Sequence, residues 1–232
     1  MNKFCIFAGA RTGSTSLYNF FKDAGVRIRF EPFRPNRWKN EIIDIRTNLE
    51  EIYAHSDGIK HLWDHFIPDQ NEEMIDWMNE KDIKVIFLHR EQVFFQALSR
   101  ALAFQTDFWG TKDAVVEETI QYELKELQPI LGATLNDYIQ MILLAERIYK
   151  SLLSGADTTY WSYEELYKGN IDERIAKVHE ILKFLEIEPD PYTHKLILEF
   201  FDSKNKVNSQ SVYERIPNWN ELKEIFQIEG ET

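Results

Sequence analysis

The chain has 232 residues, of which 44% are hydrophobic, 14% aromatic and 28% charged, a globular composition that excludes a disordered or collagen-like chain. Its single cysteine, Cys5, excludes an intrachain disulfide, and its longest apolar runs fall short of the roughly 20 residues that span a bilayer. The net charge of −12 disfavours duplex nucleic acid, anionic membranes and polyanionic polymers as partners, because all three reward a broad basic surface.

That charge is unevenly spread. Residues 1–40 carry eight Lys or Arg against Asp23 and Glu31, a net +6, and the remainder carries −18. A basic N-terminal sixth inside an acidic chain points to a local anion site. Residues 3–9 run into a loop rather than into a long apolar core with a cleavage site, so no secretory signal is expected. A cytoplasmic setting is the default expectation. Without repeats or linker-like tracts, a single domain over residues 1–232 is expected.

Residues 3–8 read as a buried strand, and 15–24 as a helix with Leu17, Phe20, Phe21 and Ala24 on one face. Residues 26–30 alternate apolar and basic as a second strand. Residues 47–55 read as a helix opened by a capping box from Thr47 to Glu50. Residues 58–63 give a third strand, 71–79 a helix, and 83–88 the strongest central strand of the chain. Helices are expected at 92–108, 114–127 and 134–153, a strand at 158–161, and helices at 172–186 and 191–201. Residues 202–217 read as irregular and 218–227 as a last helix.

Strands separated by helices predict an α/β fold, a P-loop-like central parallel sheet flanked by helices on both faces. Ligands bind such sheets at the carboxyl ends of the strands. The first of these ends opens into Gly9-Ala10-Arg11-Thr12-Gly13-Ser14-Thr15-Ser16 and then a helix. A glycine-rich strand-to-helix turn aims backbone N–H groups at an anion from the positive end of the helix dipole. The hydroxyls of Ser14, Thr15 and Ser16 add donors, and Arg11 adds a cation. A plain polar turn with a helix cap is the alternative. A kinase-type loop needs four residues between its glycines and then Lys. Here the glycines are one residue too close, and Ser14 stands where Lys belongs. The strand at 83–88 ends in His89-Arg90, and the following helix carries Ser99-Arg100. Arg90 can pair bidentately with a phosphate, and Ser99 can add a hydroxyl to it. Two anion sites at neighbouring strand ends describe a ligand with two separated charged groups.

Three segments, in this order, resemble the sulfotransferases that use 3′-phosphoadenosine 5′-phosphosulfate (PAPS). Residues 10–16 resemble the loop for the 5′-phosphosulfate. Residues 87–90 with 96–101 resemble the strand–Arg–helix–Ser element for the 3′-phosphate. Thr159-Tyr160-Trp161-Ser162-Tyr163-Glu164-Glu165-Leu166, followed by residues 181–187, resembles the later element whose tyrosine, here Tyr163, approaches the adenine. Residues 96–109, and Gly25-Val26 leading to Phe30-Glu31-Pro32-Phe33, are most similar to the bacterial trehalose-type group. The likeness spans about residues 3–187. Ala10 departs from the proline common in the family, and residues 110–157 match nothing in it.

The resemblance implies PAPS as co-substrate and transfer of its sulfuryl group to a hydroxyl-bearing acceptor such as a carbohydrate, a glycolipid or a small alcohol. It implies PAPS contacts from Arg11, Thr12, Gly13, Ser14, Thr15, Ser16, Arg90, Ser99 and Tyr163. A late basic loop of the family closes over the 3′-phosphate, and Lys206, with Lys204, Asn208 and Ser209, stands in that place; an ordinary solvated turn is the alternative. Glu31 falls on the position proposed as catalytic base in the trehalose-type group. Pairing of Glu31 with its arginine neighbours is the structural alternative. A Gly-x-Lys strand with a following His is also common in the family, here Gly58-Ile59-Lys60 and His65. Alternation along that strand puts Lys60, Leu62 and Asp64 on one face and Ile59, His61 and Trp63 on the other. Lys60 would support the bridging oxygen, and His65 is the second candidate base; a structural histidine is the plainer reading. No Cys/His spacing suggests a metal site.

A kinase-like phosphotransferase using ATP and Mg²⁺, and a non-catalytic nucleotide-binding module, are the competing readings. Phe30, Phe33, Trp38, Trp63, Phe104, Phe108 and Trp109 cluster near the expected site loops or on the helix beyond Ser99. They would stack on an acceptor's sugar ring or pack in the core.

Overall fold

The structure is a computed structural model, and it describes residues 2–34, 44–107, 126–189, 192–201 and 210–228. The expectations for Trp38, Phe108, Trp109, Lys204, Lys206, Asn208 and Ser209, and for most of the helix at 114–127, lie outside the described residues.

The described residues group into two compact units, where the sequence reads as one domain over 1–232. The first unit comprises Met1–Glu91 with Arg147–Asp202, and the second Gln92–Glu146 with Ser203–Thr232.

The first unit is built on five strands: β1 (Phe4–Ala8), β2 (Ile28–Phe30), β3 (Gly58–Leu62), β4 (Lys84–His89) and β5 (Thr158–Ser162). All pair in parallel, in the order β2-β3-β1-β4-β5. β1 is buried throughout, as a strand covered on both sides must be, and reads as a continuous apolar run. Its alternate side chains serve two layers. Phe4, Ile6 and Ala8 join a core with α1 (Ser14–Asp23), through Leu17, Phe20 and Phe21. Helices Ile171–Phe184 and Thr193–Phe200 complete that layer through Val178, Ile181, Leu182, Leu196, Ile197 and Phe200. On the opposite face, the Phe7 ring lies 5.4 Å from His61, 6.3 Å from Phe87 and 5.3 Å from Tyr149. Helices α2 (Ile45–His55) and α3 (Pro68–Glu80) connect the neighbouring strands, and their Tyr53 and Trp77 rings stack at 5.5 Å. The expected parallel sheet with helices on both faces is therefore present.

Three local expectations are corrected. α2 begins two residues early, so Asp44 is its cap and accepts from the Thr47 amide at 3.0 Å; Thr47 lies inside the first turn. β3 stops at Leu62 because its neighbour β1 ends opposite it at Ala8. Trp63–His65 form a tight 3₁₀ turn instead. Within the stretch expected to be irregular, Gln210–Tyr213 form a short helix.

The second unit is helical. Helix α4 (Val93–Thr106) buries Phe94, Phe95, Leu98 and Leu102 against Leu135, Ile142, Tyr213, Trp219 and Leu222. The Asn218 amide brackets Ile130, accepting from its N–H at 3.0 Å and donating to its carbonyl at 2.8 Å.

Candidate active site

Because all five strands run parallel, their carboxyl ends lie along one edge of the sheet. β1 sits between β3 and β4. From β1 the chain passes to β2 on one side, and from β3 it crosses β1 to reach β4. This reversal is the position at which open α/β sheets bind ligands.

The loop from β1 into α1 is bent through two left-handed residues, Arg11 at φ 68° and Gly13 at φ 79°. The Thr12 hydroxyl, fully buried, donates back to the Gly9 carbonyl at 2.9 Å and closes the turn. Gly13 is the N-cap of α1, whose first residues Ser14, Thr15 and Ser16 carry the hydroxyls at the positive end of the helix. Gly13 cannot be replaced cheaply: a Cβ there would lie 2.4 Å from Cε2 of Tyr167. That tyrosine, from the short helix Tyr163–Tyr167, donates its hydroxyl to the Gly13 carbonyl at 2.8 Å. Its ring stacks on Tyr163 at 4.8 Å. Burial holds the Tyr167 hydroxyl protonated well above the ordinary tyrosine range, so it remains a donor.

Tyr163 faces a second cation. The buried Arg90, the first residue after β4, places its guanidinium 4.6 Å from the Tyr163 ring centre. Glu164 accepts from the Glu91 amide at 2.9 Å and lies 3.7 Å from Arg90 Nε. Arg90, Tyr163 and the Gly13 turn thus form one contiguous wall of the first unit. Ser99 is buried on α4, within the second unit.

On the other side of the loop, Glu31 follows β2 and Lys60 lies in β3. Glu31 takes a left-handed backbone, φ 43°, a costly conformation for a non-glycine residue and one that clusters at functional sites. Its carboxylate accepts from the Lys60 ammonium, and both side chains are almost wholly out of water. The same ammonium donates to Thr15 Oγ1 at 3.2 Å and sits 4.4 Å from the Phe30 ring centre. Burial lowers the Lys60 pKa, and the Glu31 charge opposes that shift. His65, from the 3₁₀ turn after β3, puts Nε2 3.8 Å from Glu31 Oε2. Burial lowers its pKa too, against the pull of Glu31 and Asp64.

The fold therefore assembles Glu31, Lys60 and His65 into one buried cluster that touches the first turn of α1. His61 turns to the opposite face, as the strand alternation requires. There its Nε2 pairs with Asn71 Oδ1 at 2.9 Å, and burial depresses its pKa to about 3. Three contributors escaped the sequence reading. Glu164 stands in the segment carrying Tyr163 but had no role of its own there, and Tyr167 lies one residue beyond that segment. Asn71 had none beyond being a polar residue in a helix.

Such an arrangement can hold one anion on the α1 amides and hydroxyls beside Lys60 and a second anion on Arg90. It can also present a carboxylate to a proton. Among the described residues no group of three or more His, Cys, Asp or Glu is placed to hold a metal ion. No described helix is long and apolar enough to cross a membrane.

No family model matches the chain, and no curated protein matches it. Among solved structures it is similar to a sulfotransferase from Alicyclobacillus acidocaldarius, at 14% identity and a TM-score of 0.45 over 98% of this chain and 96% of that one.

Proposed function

We propose that this chain is a sulfotransferase that moves the sulfuryl group of PAPS to a hydroxyl of a carbohydrate, glycolipid or small alcohol. The observation that carries the reading is the double contact of the Lys60 ammonium, with the Glu31 carboxylate on one side and Thr15 Oγ1 on the other. One buried cation joins an anion-holding helix start to a candidate base. That is the juxtaposition in-line transfer from an anionic donor to a hydroxyl requires.

The donor supplies a sulfuryl group already activated as a phosphosulfate. The residues present fit it: helix-start donors and Arg11 for the 5′ end, and Arg90 with the Tyr163 ring for the 3′-phosphate and adenine. Glu31 takes the proton of the attacking hydroxyl on its carboxylate as the new oxygen–sulfur bond forms. Lys60 and the α1 amides stabilise the negative charge that builds on the leaving phosphate oxygen. Lys60 also holds Glu31 in place, which limits reorganisation during the step.

Calorimetric titration with adenosine 3′,5′-bisphosphate, beside ATP with Mg²⁺, tests this. Tight binding of the bisphosphate alone is expected. Binding of ATP–Mg²⁺ alone would overturn the reading in favour of phosphoryl transfer. Transfer of label from [³⁵S]PAPS to a panel of sugars, glycolipids and small alcohols then separates an enzyme from a binding module.

A further inference from the structure

We propose that Asn71 is a positioning residue: it holds the turn at residues 63–66 so that the His65 imidazole stays beside Glu31. The inference rests on the reading of Glu31 given above.

Asn71 lies in the first turn of α3 and has no exposed surface. Asparagine is a poor choice there on helix propensity alone. Its amide is fully used instead. Nδ2 donates to the Trp63 carbonyl at 2.8 Å and the Tyr149 hydroxyl at 2.8 Å, with the Phe66 carbonyl at 3.5 Å. Oδ1 pairs with His61 Nε2 at 2.9 Å. One side chain thus ties the end of β3 and both ends of the following turn to α3. The turn begins where β3 has run out of ladder partners, so its buried carbonyls need donors from elsewhere. Asn71 supplies them.

His65 does not anchor itself. Its Nδ1 is buried with no hydrogen-bond partner among the described residues, and its Nε2 stands 3.8 Å from Glu31, beyond hydrogen-bond reach. Its place follows from the turn, and the turn is held from residues 63 and 66 on either side. The rings of Trp63 and Phe66 pack on Phe87 and Phe33, at 5.5 Å and 4.9 Å. Such packing fixes how deep the turn sits. The direction of its carbonyls is fixed by Asn71.

The test is an NMR titration of the His65 imidazole in the whole chain without substrate, for the wild type and for Asn71→Ala, Asn71→Ser and Tyr149→Phe. The charged groups acting on His65 are Glu31, Asp64, Lys60 and Arg34, none of which these variants change. His61, whose ring lies 6.2 Å away, loses its Asn71 partner in the Asn71 variants but stays neutral, because burial already holds its pKa at about 3. In the wild type His65 should titrate below its ordinary range. Releasing the turn should let water reach the ring and raise the midpoint by about half a unit or more toward the ordinary value near 6.5. Tyr149→Phe, which removes only the hydroxyl that accepts from Asn71 and keeps the ring that packs on Trp63 at 5.7 Å, should leave it unmoved. A folded Asn71 variant with an unchanged His65 midpoint would overturn the proposal. If both Asn71 variants fail to fold, the wild type decides: Asn71 side-chain amide protons exchanging slowly with water support it, and fast exchange overturns it. A Glu31→Gln protein with full turnover would sink the role of Glu31 while leaving the titration result standing.

Discussion

Glu31 and Lys60 are joined twice. The Glu31 amide donates to the Lys60 carbonyl at 3.0 Å, extending the β2–β3 ladder by one step, and the Lys60 ammonium donates back to the Glu31 carboxylate. The backbone bond sets the side chains next to each other, so the ion pair forms without long side chains being ordered at its own expense.

Breaking that pair from one side should be costly. Lys60→Met leaves a buried carboxylate without its cation, and a loss of about 3–5 kcal/mol is expected. Lys60→Met with Glu31→Gln should recover much of it, since no unpaired charge remains. Urea denaturation of Lys60→Met, Glu31→Gln and the double variant checks this; a double-variant loss equal to the sum of the two single losses would show that the pair is not coupled.

Glu31→Gln alone should keep the affinity for adenosine 3′,5′-bisphosphate and lower turnover with PAPS by about 10²-fold or more, the usual scale of a removed general base. Calorimetry reads the first and transfer of radiolabelled sulfate the second. Unimpaired turnover moves the base elsewhere, with His65 next in line.

Arg90→Ala removes the guanidinium proposed to hold the 3′-phosphate through a charge-assisted bond at the end of β4. An affinity loss of about 10–100-fold for the bisphosphate is expected, matching about 1.5–3 kcal/mol for such a bond. Adenosine 5′-monophosphate, which lacks the 3′-phosphate, should bind the variant and the wild type about equally. A loss of the same size for both ligands would count against Arg90 as the 3′ site.

Gly13→Ala and Gly25→Ala form a matched pair. Both glycines are left-handed, at φ 79° and 82°, but only a Cβ at Gly13 meets a neighbour, the Tyr167 ring. Gly25→Ala should lose about 1–2 kcal/mol from backbone strain alone. Gly13→Ala should lose more and should also lose bisphosphate affinity. Thermal unfolding and calorimetry measure the two effects, and equal behaviour would show that the Tyr167 contact is unimportant.

His61 should make the fold sensitive to acid. Its pKa is about 3 in the folded chain, against about 6.5 unfolded. Between those values the unfolded chain binds a proton that the native chain does not. Stability present above pH 6.5 is therefore lost as pH falls toward 3, at up to about 1.4 kcal/mol per pH unit. His61→Gln should flatten this slope in urea denaturation between pH 7 and pH 4. An identical slope would assign the acid sensitivity to other groups.

Much of this was legible in the chain. The apolar run at residues 4–8, ahead of Gly9, reads as a buried strand. The alternation through residues 58–62 separates Lys60 from His61 before any coordinates are known. The pattern Gly9 to Ser16 locates the left-handed turn into α1 because backbone geometry there depends on local residue type. Boundaries were less legible. Whether Asp44 or Thr47 caps α2 depends on where the helix meets its neighbours, and β3 ends where β1 does.

The sequence by itself determined the strands, the glycine-bearing turn after β1 and the identity of the charged residues at strand ends, because these follow from short-range periodicity and local backbone preference. Only the tertiary structure decided that Lys60 spans Thr15 and Glu31, that Tyr167 closes on Gly13 across 154 residues, and that Asn71 ties the turn beside His65. Those contacts depend on strand order and register. These are set by the burial of whole faces against one another, and no local segment encodes them.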